Sequence, residues 1–178
     1  MEELHIGAHF IESARTSFEK MKTLAEKAID QLSDEELLWM PDSETNSIAV
    51  IVQHLRGNML SRWTDFLTSD GEKEGRDRDR EFMPVESIDR YVLLQQWEEG
   101  WACVFHALQS IPPDEVLNHV AIRGEQLTVI EAIHRQISHY GYHVGQIVQI
   151  AKLRKGAWWK CLSIPKEQSK TFIPPVKN

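Results

Sequence analysis

The sequence predicts a single all-α domain, a four-helix bundle, and three observations carry that expectation. Apolar residues recur every three or four positions in four long stretches, the spacing that lines them along one helix face. Polar segments with glycine or proline separate those stretches, and one short segment alone has a strand-like pattern. The 178 residues, 42% hydrophobic and 26% charged, suffice for one continuous core over residues 1–178.

The first helix is expected from about Gly7 to Gln31, with Phe10, Ala14, Phe18, Met21, Ala25, Ala28 and Leu32 inward. Ser33 to Glu36 then has the form of a capping box opening one short turn before Pro41. Asn46 or Ser47 caps a second helix that runs to about Thr68, with Ile48, Val52, Leu55, Met59, Trp63 and Phe66 inward. Residues 69–88 form a long loop. The third helix spans roughly Asp89 to Ser110, with Tyr91, Leu94, Trp97, Trp101, Val104 and Leu108 in helical period, and Pro112-Pro113 ends it. The stretch from His119 to Leu127 reads equally as a small hairpin or a plain loop. Thr128 and Glu131 open the fourth helix as a capping box, Ile130, Ile133, Ile137, Val144, Ile147 and Ala151 carry it to about Lys155, and Gly156 stops it.

Composition removes several classes of function. No apolar run approaches the ~20 residues of a membrane span, and the acidic, amphipathic start is unlike a secretory signal. A cytoplasmic protein without a membrane partner is expected. Cys103 and Cys161 form no CxxC pair, so a disulfide scaffold or a thioredoxin-type site is not expected. A net charge of −7 argues against tracking nucleic-acid phosphates.

The chemistry lies in the eight histidines. His139 and His143 stand four apart on the fourth helix, so two imidazoles share one face and can reach a common ion. His5 and His9 repeat the spacing, which shows that the pair alone is a weak signal; they fall at a terminus expected to fray. His139 and His143 border an apolar stripe, and His54 borders the stripe of the second helix, where an unbonded imidazole would cost desolvation. His106, His119 and His134 read as surface or hydrogen-bonded histidines.

The segment H139-Y-G-Y-H143-V-G-Q146-I147 resembles the HxxxHxGQI signature of the DinB-like (YfiT-like) metal-binding superfamily. In IVQHLRGNML, His54 matches the earlier ligand of that family, and the run from His54 to Phe82 is similar to an uncharacterised bacterial subgroup of it. The resemblance implies a bundle with one divalent metal, nickel or zinc, held by His54, His139 and His143. It implies, for characterised relatives, transferases and isomerases that use a low-molecular-weight thiol.

Around such a centre, Asn58 and Arg62 follow His54 by one and two turns. Asn58 is placed to orient a bound water or a ligand's partner, and Arg62 to meet an anionic substrate; a surface amide and an ion pair are the alternatives. Gln146 is placed to hydrogen-bond His143 or to face solvent. The charged loop Glu72 to Glu81 reads as solvated, with a lid that sets an arginine over the metal as the alternative. Trp158 and Trp159 lie beyond the helices and suit a homodimer surface. The functional expectation is a metal-binding protein acting on a small molecule, as a thiol-dependent transferase or a metal-dependent hydrolase. A non-catalytic or stress-associated dimeric metal protein is the competing class.

Overall fold

Long helices form where the apolar period runs, and short polar side chains start three of them. The computed structural model describes residues 6–172. Its helices are α1 (Ile6–Ile29), the short α2 (Asp34–Leu37), α3 (Ile48–Trp63), α4 (Arg90–Ser110) and α5 (Val129–Lys155). Ser47 accepts from the Val50 amide, Asp89 from Tyr91 and Thr128 from Glu131, each relieving an amide with no partner inside its helix. The capping boxes expected at Ser33 and Thr128 are both present. His5 lies outside the described residues.

Between α4 and α5, the ambiguous segment is a hairpin of β1 (His119–Ile122) and β2 (Glu125–Thr128), with His119 opposite Thr128 and Ile122 opposite Glu125. Arg123 and Gly124 both take positive φ, 56° and 75°, the pair of left-handed residues that a two-residue turn of this twist requires. The chain is therefore mostly helical with one small two-stranded sheet. Among the described residues no helix is long and apolar enough to cross a membrane.

α3 packs most extensively on α4, and α1 on α5, with α3 also meeting α5. Each long helix sends one large ring to the centre. Phe18 of α1 lies 5.7 Å from Trp63 of α3 and from Tyr140 of α5, and Trp101 of α4 lies 5.7 Å from Tyr140. All four rings are buried. The polar atoms they carry inward are partly matched: Trp63 Nε1–H donates to Tyr140 Oη at 2.8 Å, and Tyr140 O–H donates to Asn58 Oδ1 at 3.1 Å.

Three sequence expectations need correction. The second long helix stops at Trp63, not near Thr68, because Thr64 turns extended and Asp65 takes φ 49°. Phe66 stays buried all the same, its ring 4.9 Å from that of Trp63. Tyr91 is 68% exposed, and Leu93 takes the inward place at the start of α4. The expected single stripe on α3 is instead burial on nearly every side, since Gln53 ties the passing loop to the helix through the Arg80 and Glu81 carbonyls.

Tyr140→Phe tests the central hydrogen bonds. It removes one hydroxyl and leaves the Trp63 N–H and the Asn58 amide oxygen unpaired in the core. A loss of about 2 kcal/mol in chemical denaturation is expected, the cost of stranding buried polar groups; a change below about 0.5 kcal/mol, the scale of an ordinary surface substitution, would contradict it.

Candidate metal centre

α5 presents His139 and His143 one turn apart, and α3 brings His54 across to them. The three Nε2 atoms converge: His139 Nε2 is 3.3 Å from that of His54 and 3.1 Å from that of His143. Nitrogens bound at ~2.0–2.1 Å around a tetrahedral ion stand about 3.4 Å apart. These three rings, whose ligating atoms all lie within 4.8 Å of one another, could therefore hold a metal ion. Among the described residues no carboxylate or thiol joins that group.

The far nitrogens decide which atoms face the centre. Glu81 Oε2 lies 2.9 Å from His54 Nδ1, and an ionised carboxylate only accepts, so the proton sits on Nδ1 and the His54 Nε2 lone pair is left bare. His143 Nδ1–H donates to Gln146 Oε1 at 2.8 Å, which bares its Nε2 in the same way. Gln146 is itself held by Tyr142, whose hydroxyl accepts from Gln146 Nε2 at 3.0 Å. Two lone pairs thus meet a third ring with at most one proton to share, an arrangement that a cation relieves.

Glu81 is positioned with little freedom. Arg76 grips it with two hydrogen bonds, Nε to Oε1 at 2.8 Å and Nη2 to Oε2 at 2.9 Å. Gly57 of α3 makes room for it: a methyl on that Cα would stand 2.2 Å from Glu81 Oε1. This explains a glycine inside a helix, where it costs about 1 kcal/mol against alanine. The Phe82 ring covers His54, centroids 4.4 Å apart.

The electrostatics keep His139 and His143 neutral. Burial, foremost, pushes His139 down to about 3, assisted by His143, His54 and the Arg62 and Arg76 guanidiniums. Burial likewise pushes His143 down to about 4, against the hydrogen bond to Gln146. Burial would raise the Glu81 carboxyl, but the Arg76 and His54 hydrogen bonds outweigh it and hold it below its usual range.

The other expected neighbours are placed differently from one another. Asn58 is buried but bonded to Tyr140, toward the core. Arg62 is buried and pairs with Glu72 at 2.8 Å while donating to the Gly71 carbonyl. Gln146 reaches His143. The loop expected to be solvated is so only in part: Asp77 to Arg80 are exposed, whereas the Arg76 side chain is 4% exposed and Glu81 is buried. Burial follows from pairing, since neither charge could leave water alone. Sequence reasoning missed Glu81, Gly57 and Phe82. For Glu81 itself the signal was general: a ligating histidine needs a partner on its other nitrogen, and the loop offers several carboxylates that look alike.

The family model DUF1572, described as a protein of unknown function, matches residues 5–168. The chain belongs to that family. No curated protein and no solved structure matches it. The DUF1572 match spans α1 to α5 and contains His54, Glu81, His139, His143 and Gln146, so the whole constellation lies within the family domain.

Acid should destabilise the metal-free chain through these rings. An unfolded imidazole takes its proton near 6.5, whereas the folded His139 and His143 do so only at about 3 and about 4. The unfolded state therefore gains protons first as pH falls, and stability present above 6.5 is lost progressively below it. The melting temperature of the metal-free chain is expected to drop between pH 6.5 and 4.5, mostly before carboxylates titrate. The double variant His139→Asn, His143→Asn should show a shallower slope there; parallel slopes would refute the assignment.

Proposed function

We propose that the chain is a divalent-metal-binding protein of the DinB-like (YfiT-like) superfamily, a four-helix bundle whose His54, His139 and His143 hold nickel or zinc. Its proposed activity is transfer of a low-molecular-weight thiol to a small-molecule substrate. The observation that carries the metal reading is the convergence of three Nε2 atoms, two with their protons fixed on the opposite nitrogen. Three protein donors with no fourth among the described residues are the donor set of catalytic rather than closed structural sites. A divalent ion there would supply Lewis acidity, lowering the pKa of a water or thiol that it takes from outside the protein.

The chain's own residues have separable tasks in this reading. Glu81 fixes the His54 tautomer and turns its ring, and Arg76 holds Glu81 ionised while burial opposes it. Gln146 does the same for His143 without a charge. Phe82 keeps water from the face of His54. The superfamily resemblance supports the thiol; in the protein itself, burial, foremost, pushes the Cys103 thiol up, away from the reactive thiolate.

Elemental analysis of protein made without a histidine tag, after supply of nickel, zinc and cobalt, is the direct test. About one metal per chain is expected, as a single three-ligand site dictates. It should be lost in His54→Ala and in the double variant His139→Ala, His143→Ala. A wild-type chain that binds none, or variants that keep the metal, would overturn the centre.

The support around the ligands is tested separately by chelator competition. Glu81→Gln keeps an acceptor for His54 but removes the charge, and should weaken metal affinity by about 10–100-fold, the usual effect of losing such a partner. Gly57→Ala should weaken it in the same direction by crowding the carboxylate, although alanine favours the helix. Unchanged affinity in both would mean that Glu81 serves the fold alone.

A further inference from the structure

We infer that Arg78 selects anions at the mouth of the three-histidine centre, so that the molecule bound there carries a carboxylate or phosphate besides its metal-binding atom. The inference rests on the metal reading above and names the substrate class for the same site.

The loop from Glu72 to Phe82 sorts its arginines by partner. Arg76 spends its Nε and Nη2 on Glu81, with Nη1 3.5 Å from Glu72 Oε2, and its side chain lies buried. Arg78, two residues on, is exposed, and among the described residues no carboxylate pairs with it. Its guanidinium carbon instead stands 5.0 Å from the centre of the Phe82 ring, the same ring that lies 4.4 Å from His54. A guanidinium over an aromatic face keeps its N–H groups at the edge free for another acceptor. Phe82 therefore serves as a platform that holds Arg78 beside the centre without neutralising it. The Arg78 charge is also among those that act on the His143 ring.

Two nearby carboxylates are already committed, and the exposed Asp77 and Asp79, which flank Arg78, form no ion pair with it among the described residues. Glu81 is taken by Arg76 and His54, and Glu72 Oε2 by Arg62 at 2.8 Å and Arg123 at 2.9 Å. Among the described residues, Arg78 is the loop arginine whose guanidinium lies on the Phe82 ring beside His54. On a chain of net charge −7 a guanidinium held there has a chemical use. It recruits an anion and holds its acid group in a forked geometry suited to carboxylate or phosphate.

The test uses the full chain loaded with cobalt(II), whose visible spectrum reports ligand exchange at the metal. Mercaptoacetate and 2-mercaptoethanol are titrated in parallel; both offer a thiolate, and only the first adds a carboxylate. In Arg78→Gln, mercaptoacetate affinity should fall about tenfold, the scale of a charge-assisted hydrogen bond, with 2-mercaptoethanol unchanged. Arg78→Lys should keep part of the preference, and more at low salt. Equal losses for both thiols, or no change in either, would overturn the inference while leaving the metal centre standing. A wild-type chain that takes up no cobalt overturns the centre and the inference with it.

Discussion

A carboxylate can stay buried beside a histidine only if something supplies it with charge and donors, and Glu81 shows how the chain does this. Arg76 gives it two charge-assisted hydrogen bonds, and His54 gives a third. The triad is nearly water-free, and in such surroundings each bond is stronger while each missing one costs more. Because the members lie on α3 and on the loop that crosses it, ordering the loop and orienting His54 are one event. The loop is anchored elsewhere by the same kind of contact. Asp70 accepts from the Arg123 and Gly124 amides at the hairpin turn, and Gly71 donates to the Ala121 carbonyl. The small hairpin thus braces the loop, and the loop sets the tautomer of His54.

The long helices were legible because their periodicity is redundant. Losing Phe10 or Met21 to half-burial leaves the α1 stripe intact, and three N-caps announce the starts of α3, α4 and α5 by residue type alone. The end of α3 was not legible. Trp63 and Phe66 keep helical spacing, and what breaks the helix is the conformation of Thr64 and Asp65, which neither residue type compels. The hairpin had a real turn signal in Gly124, yet Val120 and Ile122 alone could not separate strand from loop.

The site divides along the same line. His139 and His143 share one helix, so their juxtaposition follows from spacing. His54 required pairing two helices, which the superfamily resemblance supplied and the apolar borders only suggested. Glu81 lies 27 residues from His54 across irregular backbone, where no periodicity operates. The composition of the loop pointed toward solvent, and for Asp77 to Arg80 it pointed correctly. For Arg76 and Glu81 it misled, because a like number of opposite charges is equally the recipe for a buried pair. Gly57 held the missed clue: a glycine in mid-helix, with no turn to make, marks a place where another group comes close.

That loop also explains why the polar residues of α3 do not destabilise it. His54, Asn58, Ser61 and Arg62 are all buried on a helix whose other buried residues are apolar. Each is answered by a different element: His54 by Glu81, Asn58 by Tyr140, Ser61 by the Gly71 carbonyl, and Arg62 by Glu72. A helical fold needing only stability would do better with apolar residues at such positions, since buried charges rarely repay their desolvation. The concentration of satisfied polar groups on the helix that carries His54 is what a rigid, preorganised centre requires. Local rules of core composition are broken there and kept on α1, whose buried residues are apolar or glycine.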